Sequence, residues 1–92
     1  MEFIDILKLD AQHRIFLPEK ALEAIGAVKG EFVGIKYRPG YIRLTKSAKC
    51  KYMIRIDEES HIRVENKYFM YMFLEIPKEV AIFVYKDSLI IG

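Results

Sequence analysis

Displaced by 47 residues, this chain aligns on itself without a gap: residues 8–17 fall on 55–64, 32–35 on 79–82, and 42–44 on 89–91. Identities are few, chiefly Asp10/Asp57, Ile15/Ile62, Lys20/Lys67, Val33/Val80 and Ile35/Ile82. The apolar pattern agrees far better, and that pattern is what a duplicated fold must keep. In a chain of 92 residues, two independent domains would each be marginal. The copies, about 3–46 and 50–92, are therefore expected to share one core in a single domain spanning 1–92. Ser47, Ala48 and Lys49 form the candidate linker, too short to separate two bodies.

Each copy reads as β-β-α-β. In the first, 3–9 is a strand, 10–13 a turn and 14–17 a second, short strand. Pro18 fixes φ near the helical value and lacks an N–H that a helix start leaves unpaired. Good helix formers follow from Glu19 to Ile25, with Leu22 and Ile25 on one face, and Gly26 suits the left-handed stop. After a turn at Lys29 and Gly30, a strand covers 32–37. Residues 41–46, with Ile42 and Leu44 inward, either extend it as one bent strand or fold back as a hairpin. The second copy repeats the plan: Tyr52, Ile54 and Ile56 alternate on one face, 57–60 turns and 61–64 is the short strand. Asn66 is the expected N-cap of a helix over 67–73, and strands at 80–85 and 89–91 close the pattern.

No apolar run approaches the roughly 20 residues of a membrane helix, and no charged-then-apolar leader opens the sequence. A soluble, cytoplasmic protein is expected. Cys50, the one cysteine, allows no internal disulfide and offers no zinc cluster; it reads as a small apolar residue beside a strand, not a nucleophile. The five glycines are scattered, so no phosphate-cradling loop exists. No cofactor and no resident metal are expected, and an enzyme is disfavoured. One Gln and one Asn stand against many Ile, Lys and Glu, the compositional bias of hyperthermophile proteins.

The stretch Asp10-Ala11-Gln12-His13-Arg14-Ile15-Phe16-Leu17-Pro18 resembles the signature of the AbrB/MazE/MraZ-like transcription factors: Asp, any two residues, Gly, Arg-Ile, two apolar residues, Pro. The likeness continues through Lys29-Gly30-Glu31-Phe32-Val33, which resembles the turn of cradle-loop barrels, and through Gly40-Tyr41-Ile42-Arg43-Leu44. Two such copies in one short chain look most like the small archaeal RIFT-barrel proteins. The resemblance implies a mostly β fold with two short helices, closed as a six-stranded RIFT-type barrel, and a monomer. It also implies that the loops 10–14 and 57–61 frame a site, for which a nucleotide or flavin-like ligand is the alternative function. Departures from the pattern are His13 at the Gly position, and in the second copy His61 for Arg, Glu65 for Pro and Pro77-Lys78 for the Gly-Glu turn.

Asp10, His13, Asp57 and His61 can in principle gather as metal ligands or as an acid/base pair. The simpler reading has both Asp holding their turns by accepting backbone N–H bonds, with both His as ordinary surface or turn residues. The stronger functional lead is charge distribution. The net charge is only +2, yet no acid lies between Glu31 and Asp57, while Lys36, Arg38, Arg43, Lys46, Lys49, Lys51 and Arg55 all do. With Arg14 added, these cations are the expected phosphate contacts of a sequence-independent DNA- or RNA-binding surface, and Tyr37, Tyr41 and Tyr52 are interleaved for stacking. The competing reading is a solvated strand edge guarded by Lys. The second helix is apolar on nearly every side, with Tyr68, Phe69, Met70, Tyr71, Met72 and Phe73 in place of the first copy's Ala21 to Gly26. Such a helix either plugs the core or presents Tyr68, Met70 and Tyr71 to a protein partner.

Overall fold

A computed structural model describes residues 1–46 and 49–92. The first half contains β1 (Glu2–Lys8), β2 (Arg14–Phe16), α1 (Glu19–Ile25), β3 (Phe32–Arg38) and β4 (Tyr41–Thr45). The second contains β5 (Tyr52–Arg55), β6 (His61–Arg63), α2 (Asn66–Phe73), β7 (Glu79–Tyr85) and β8 (Ser88–Ile91). Each half is thus β-β-α-β-β, the final pair folding back as a hairpin. Ser47 and Ala48 of the candidate linker lie outside the described residues.

The fold is mostly β. Six strands form one antiparallel sheet in the order β1-β7-β8-β4-β3-β5, and β2 pairs with β6 as a separate ribbon. Under the 47-residue offset that order maps onto itself reversed. The register does the same: Leu7↔Val80 on β1/β7 matches Ile54↔Val33 on β5/β3, and Ile35↔Leu44 matches Ile82↔Ile91. The pseudo-twofold axis passes between β4 and β8 and through the Ile15↔Ile62 pair of the ribbon. Each half lends its first strand to the other half's third strand. The sheet is open: β1 and β5 are its edges, and no ladder among the described residues joins them into a closed barrel.

Period-two alternation explains the core. Val33, Ile35, Ile42, Leu44, Val80, Ile82, Leu89 and Ile91 point to one face and are buried together. Leu22 and Ile25 of α1 and Phe69 and Met72 of α2 cover that face. Gly26 takes φ 69° and its N–H reaches back to the Glu23 carbonyl, closing α1 as its sequence suggests. Two local features differ from expectation. Pro18 (ψ 154°) flanks α1 rather than entering it, and Asn66 is the first residue of α2, not its cap. Glu65 holds the cap position without a side-chain capping bond, its carboxylate standing 3.7 Å from Lys67 Nζ, while Asn66 Oδ1 lies 3.3 Å from His13 Nδ1.

Candidate functional site

The paired loops have one geometry. Asp10 Oδ1 accepts the N–H groups of Gln12 (2.9 Å) and Arg14 (2.8 Å); Asp57 Oδ1 accepts those of Glu59 (2.9 Å) and His61 (2.8 Å). His13 (φ 60°) and Ser60 (φ 62°), one repeat apart, both take the left-handed conformation. Arg14 then ties the loops together, donating from Nε to Asp10 Oδ2 (2.7 Å) and from Nη1 to Asp57 Oδ2 (3.0 Å) and Glu59 Oε1 (3.5 Å). The backbone N–H of Arg14 and its guanidinium hold the Asp10 carboxyl below its ordinary value against a smaller burial effect. Burial pushes Asp57 up, but the N–H groups of His61 and Glu59, the His61 ring and Arg14 outweigh it and leave Asp57 lowered too. Both Asp therefore have the turn-holding geometry, with Arg14 as their counter-ion. His13 and His61 do not converge with them on one point: His61 Nδ1 stands 3.8 Å from Asp57 Oδ1, and no group of three metal-ligating side chains forms among the described residues.

The cations of the acid-free stretch separate into three sets. Lys46 donates to the Gly26 carbonyl (2.6 Å) and stands 3.7 Å from Glu31 Oε2, while Arg55 bonds Glu58 Oε1 (2.8 Å). These two, like Arg14, already face carboxylates of the fold. Arg43 and Lys49 join Lys36 beside Thr45, Cys50, Asp87 and Ser88 on the outward side of the sheet. Lys36, Arg38 and Lys51 converge on a different place.

That place is a groove of about 640 Å³, lined by Ile35, Lys36, Tyr37, Arg38, Lys51, Tyr52, Lys67, Tyr68 and Tyr71. It exists because β5 is short. β5 pairs with β3 only from Phe32 to Ile35, so β3 continues through Lys36, Tyr37 and Arg38 with no strand on that side. Helix α2 forms the other wall. Tyr37 and Tyr68 stack there at 3.9 Å and 2°, and Tyr52 tilts toward both at 6.0 and 6.2 Å. Lys51 Nζ lies 5.3 Å from the Tyr52 ring centre and Lys67 Nζ 5.1 Å from that of Tyr68, within cation–π range. Burial, with the charges of Tyr68, Glu65 and Tyr52 adding to it, pushes the Tyr37 hydroxyl from 10.0 up to about 12, so it stays a neutral donor at physiological pH. Tyr52 and Tyr71 remain exposed. Four cations line the groove, and one of them, Lys67, has Glu65 Oε2 3.7 Å from its Nζ.

The same place in the other half is built differently. There β1 runs on to pair Phe3 with Phe83 and Glu2 with Val84, with a bulge at Ile4, which packs partly buried against the core. One repeat away from Tyr37, Tyr52, Tyr68 and Tyr71 stand Val84, Asp5, Ala21 and Ala24. Nothing in the shared architecture therefore demands the tyrosines. Of the three tyrosines singled out by sequence, Tyr41 lies elsewhere, in a hollow with Met1, Phe83, Tyr85 and Ile90. Lys67, Tyr68 and Tyr71 were missed as partners of the basic strand. The available signal was the spacing of Tyr68 and Tyr71, which puts both on one face of α2. Phe69 and Met72 of α2 plug the core; Met70 and Tyr71 are exposed, while Tyr68 is partly buried in its stack on Tyr37. No known protein-family model, curated protein or solved structure matches the chain.

Proposed function

We propose that this protein binds single-stranded nucleic acid without sequence preference, its bases lying on the tyrosines of the groove and its phosphates on Lys36, Arg38, Lys51 and Lys67. The observation that carries the reading is the coincidence of an aromatic cluster with an excess of cations at one open strand edge, Lys36, Arg38, Lys51 and Lys67 against the single carboxylate of Glu65 beside Lys67. Every base has a π-face, so stacking tolerates any sequence and contributes about 1–3 kcal/mol per base. Lysines at the rim neutralise phosphates and release counterions. A duplex hides its base faces and a flat wet sheet has no need of clustered aromatics, so an unpaired strand fits the groove best. The fold is read as a duplicated relative of the cradle-loop barrels and of AbrB-like regulators, opened between β1 and β5. The self-mapping strand order, the exchanged first strands and the left-handed residue at positions 13 and 60 support that relation.

The test is fluorescence anisotropy with a labelled oligothymidylate and a duplex of equal length, at several salt concentrations. The single strand should bind more tightly, and each lost phosphate contact should lower the log–log salt slope by about 0.7. Tyr52→Ala should weaken binding about tenfold, the low end of one lost stacking contact. Absence of binding at about 50 mM salt, where such contacts are strong, overturns the reading.

A further inference from the structure

Behind the groove, on the outward side of the sheet, Lys36 of β3 stands directly across from Arg43 of β4 in the strand register. Like charges so placed repel and destabilise a sheet. The other half shows that the fold does not require them: the equivalent pair is Phe83↔Ile90, both apolar. Arg43 is also held in place. Its Nε donates to Ser88 Oγ at 3.1 Å, and Ser88 is 1% exposed, so the hydroxyl is a fixed part of the wall. That bond uses one edge of the guanidinium and leaves both Nη groups without a partner among the described residues. Lys49 lines the same hollow of about 270 Å³, and Asp87 is the acid facing it. The like-charged pair Lys36 and Arg43, with the guanidinium oriented as a fork, makes a receptor for a tetrahedral oxyanion.

We propose that this hollow is a phosphate subsite, occupied by a phosphodiester of the same strand whose bases lie in the tyrosine groove. The two hollows meet at Lys36, which lines both. A strand leaving the groove over the unpartnered end of β3 meets Lys36 first and the Arg43 fork next. The site therefore sets a minimum ligand length: a dinucleotide fills the groove alone, and a longer strand gains the second contact. The proposal rests on the groove reading above, and the two fail separately.

The experiment compares wild type, Arg43→Gln and Tyr52→Ala with a labelled dinucleotide and with an oligothymidylate of about eight nucleotides, within the ~4–16 usual for such sites. Arg43→Gln should weaken the longer strand about fivefold at about 0.1 M salt, the value of one single-strand phosphate contact, and lower its salt slope by about 0.7. The same variant should leave the dinucleotide unchanged, whereas Tyr52→Ala should weaken both. If Arg43→Gln leaves the longer strand unchanged while Tyr52→Ala weakens it, the subsite is overturned and the groove stands. If neither variant matters, or the wild type binds neither ligand, both readings are overturned. An NMR titration with pyrophosphate separates the sources. Shifts at Arg43 and Ser88 with pyrophosphate, beside a longer strand indifferent to Arg43→Gln, make this a site for free phosphoanions and overturn the strand assignment.

Discussion

Among the described residues, four other than glycine hold positive φ: His13, Ser60, Leu74 and Lys86. His13 and Ser60, one repeat apart, both take the conformation that glycine favours, so the two loops share one backbone path despite different side chains. Leu74 ends α2 at φ 63° and is 83% exposed, so it loses backbone freedom and gains little packing. Leu74→Gly should raise stability by up to about 1 kcal/mol, the αL penalty less the extra chain entropy of Gly, read as a higher urea midpoint at constant m. The two Asp give a pH signature. Their folded-state affinities for protons are lowered below the ordinary 3.8, so they stabilise the fold above that value. That contribution disappears as pH falls below about 4 and through the lowered folded values. Arg14→Gln removes the shared counter-ion and should flatten this acid limb in urea midpoints measured from pH 6 to 2, a range chosen to span the carboxylate reference of about 4. An unchanged acid limb would show that the backbone N–H groups alone set both carboxyls.

At the scale of elements, what strands must bury was plain and what loops and edges leave open was not. Alternation placed Val33, Ile35, Val80 and Ile82 in the core, because a strand with one covered face has period two. Ile35→Ala and Ile82→Ala should each cost about 2–5 kcal/mol in denaturant unfolding, as deletions from filled cores do. A loss under about 1 kcal/mol at both would mean the pairs are not buried as the register requires. The groove was half legible. Lys36, Arg38, Lys51, Tyr37 and Tyr52 follow from a local excess of cations with tyrosines between them. The contribution of α2 did not, because the packing of Tyr68 on Tyr37 joins residues 31 apart in sequence. Nor could composition show that Lys46 and Arg55 face Glu31 and Glu58, since a charge count is blind to which carboxylate each cation meets. The stack makes its own prediction. Of six tyrosines, Tyr37 should ionise near 12 in an ultraviolet titration, and Tyr68→Ala, which opens the stack to water, should bring it back toward 10.0.

On the scale of the whole molecule, the exchanged first strands decide how the protein must unfold. β1 belongs to the first half and pairs only with β7 of the second; β5 belongs to the second and pairs only with β3 of the first, among the described residues. The core is likewise one cluster, with Ile15, Leu22 and Ile35 in contact with the same buried set as Ile62, Phe69 and Ile82. Neither half can open without breaking a sheet ladder of the other. This cooperativity could be expected from the repeat and the chain length, since one small core must serve both copies. The open edge between β1 and β5 could not, because strand length and bulges decide closure and both depend on contacts across the repeats. The expected outcome is a single unfolding transition. Far-ultraviolet circular dichroism and tyrosine fluorescence should trace one urea curve, and Ile35→Ala and Ile82→Ala, one in each half, should shift that whole curve. Both repeats already supply each other's missing strand, so no second chain is needed, and sedimentation at micromolar concentration should give the monomer mass of 10.8 kDa. Two separated transitions would mean the halves fold independently, and a dimer mass would mean that the first strands are exchanged between chains instead of within one.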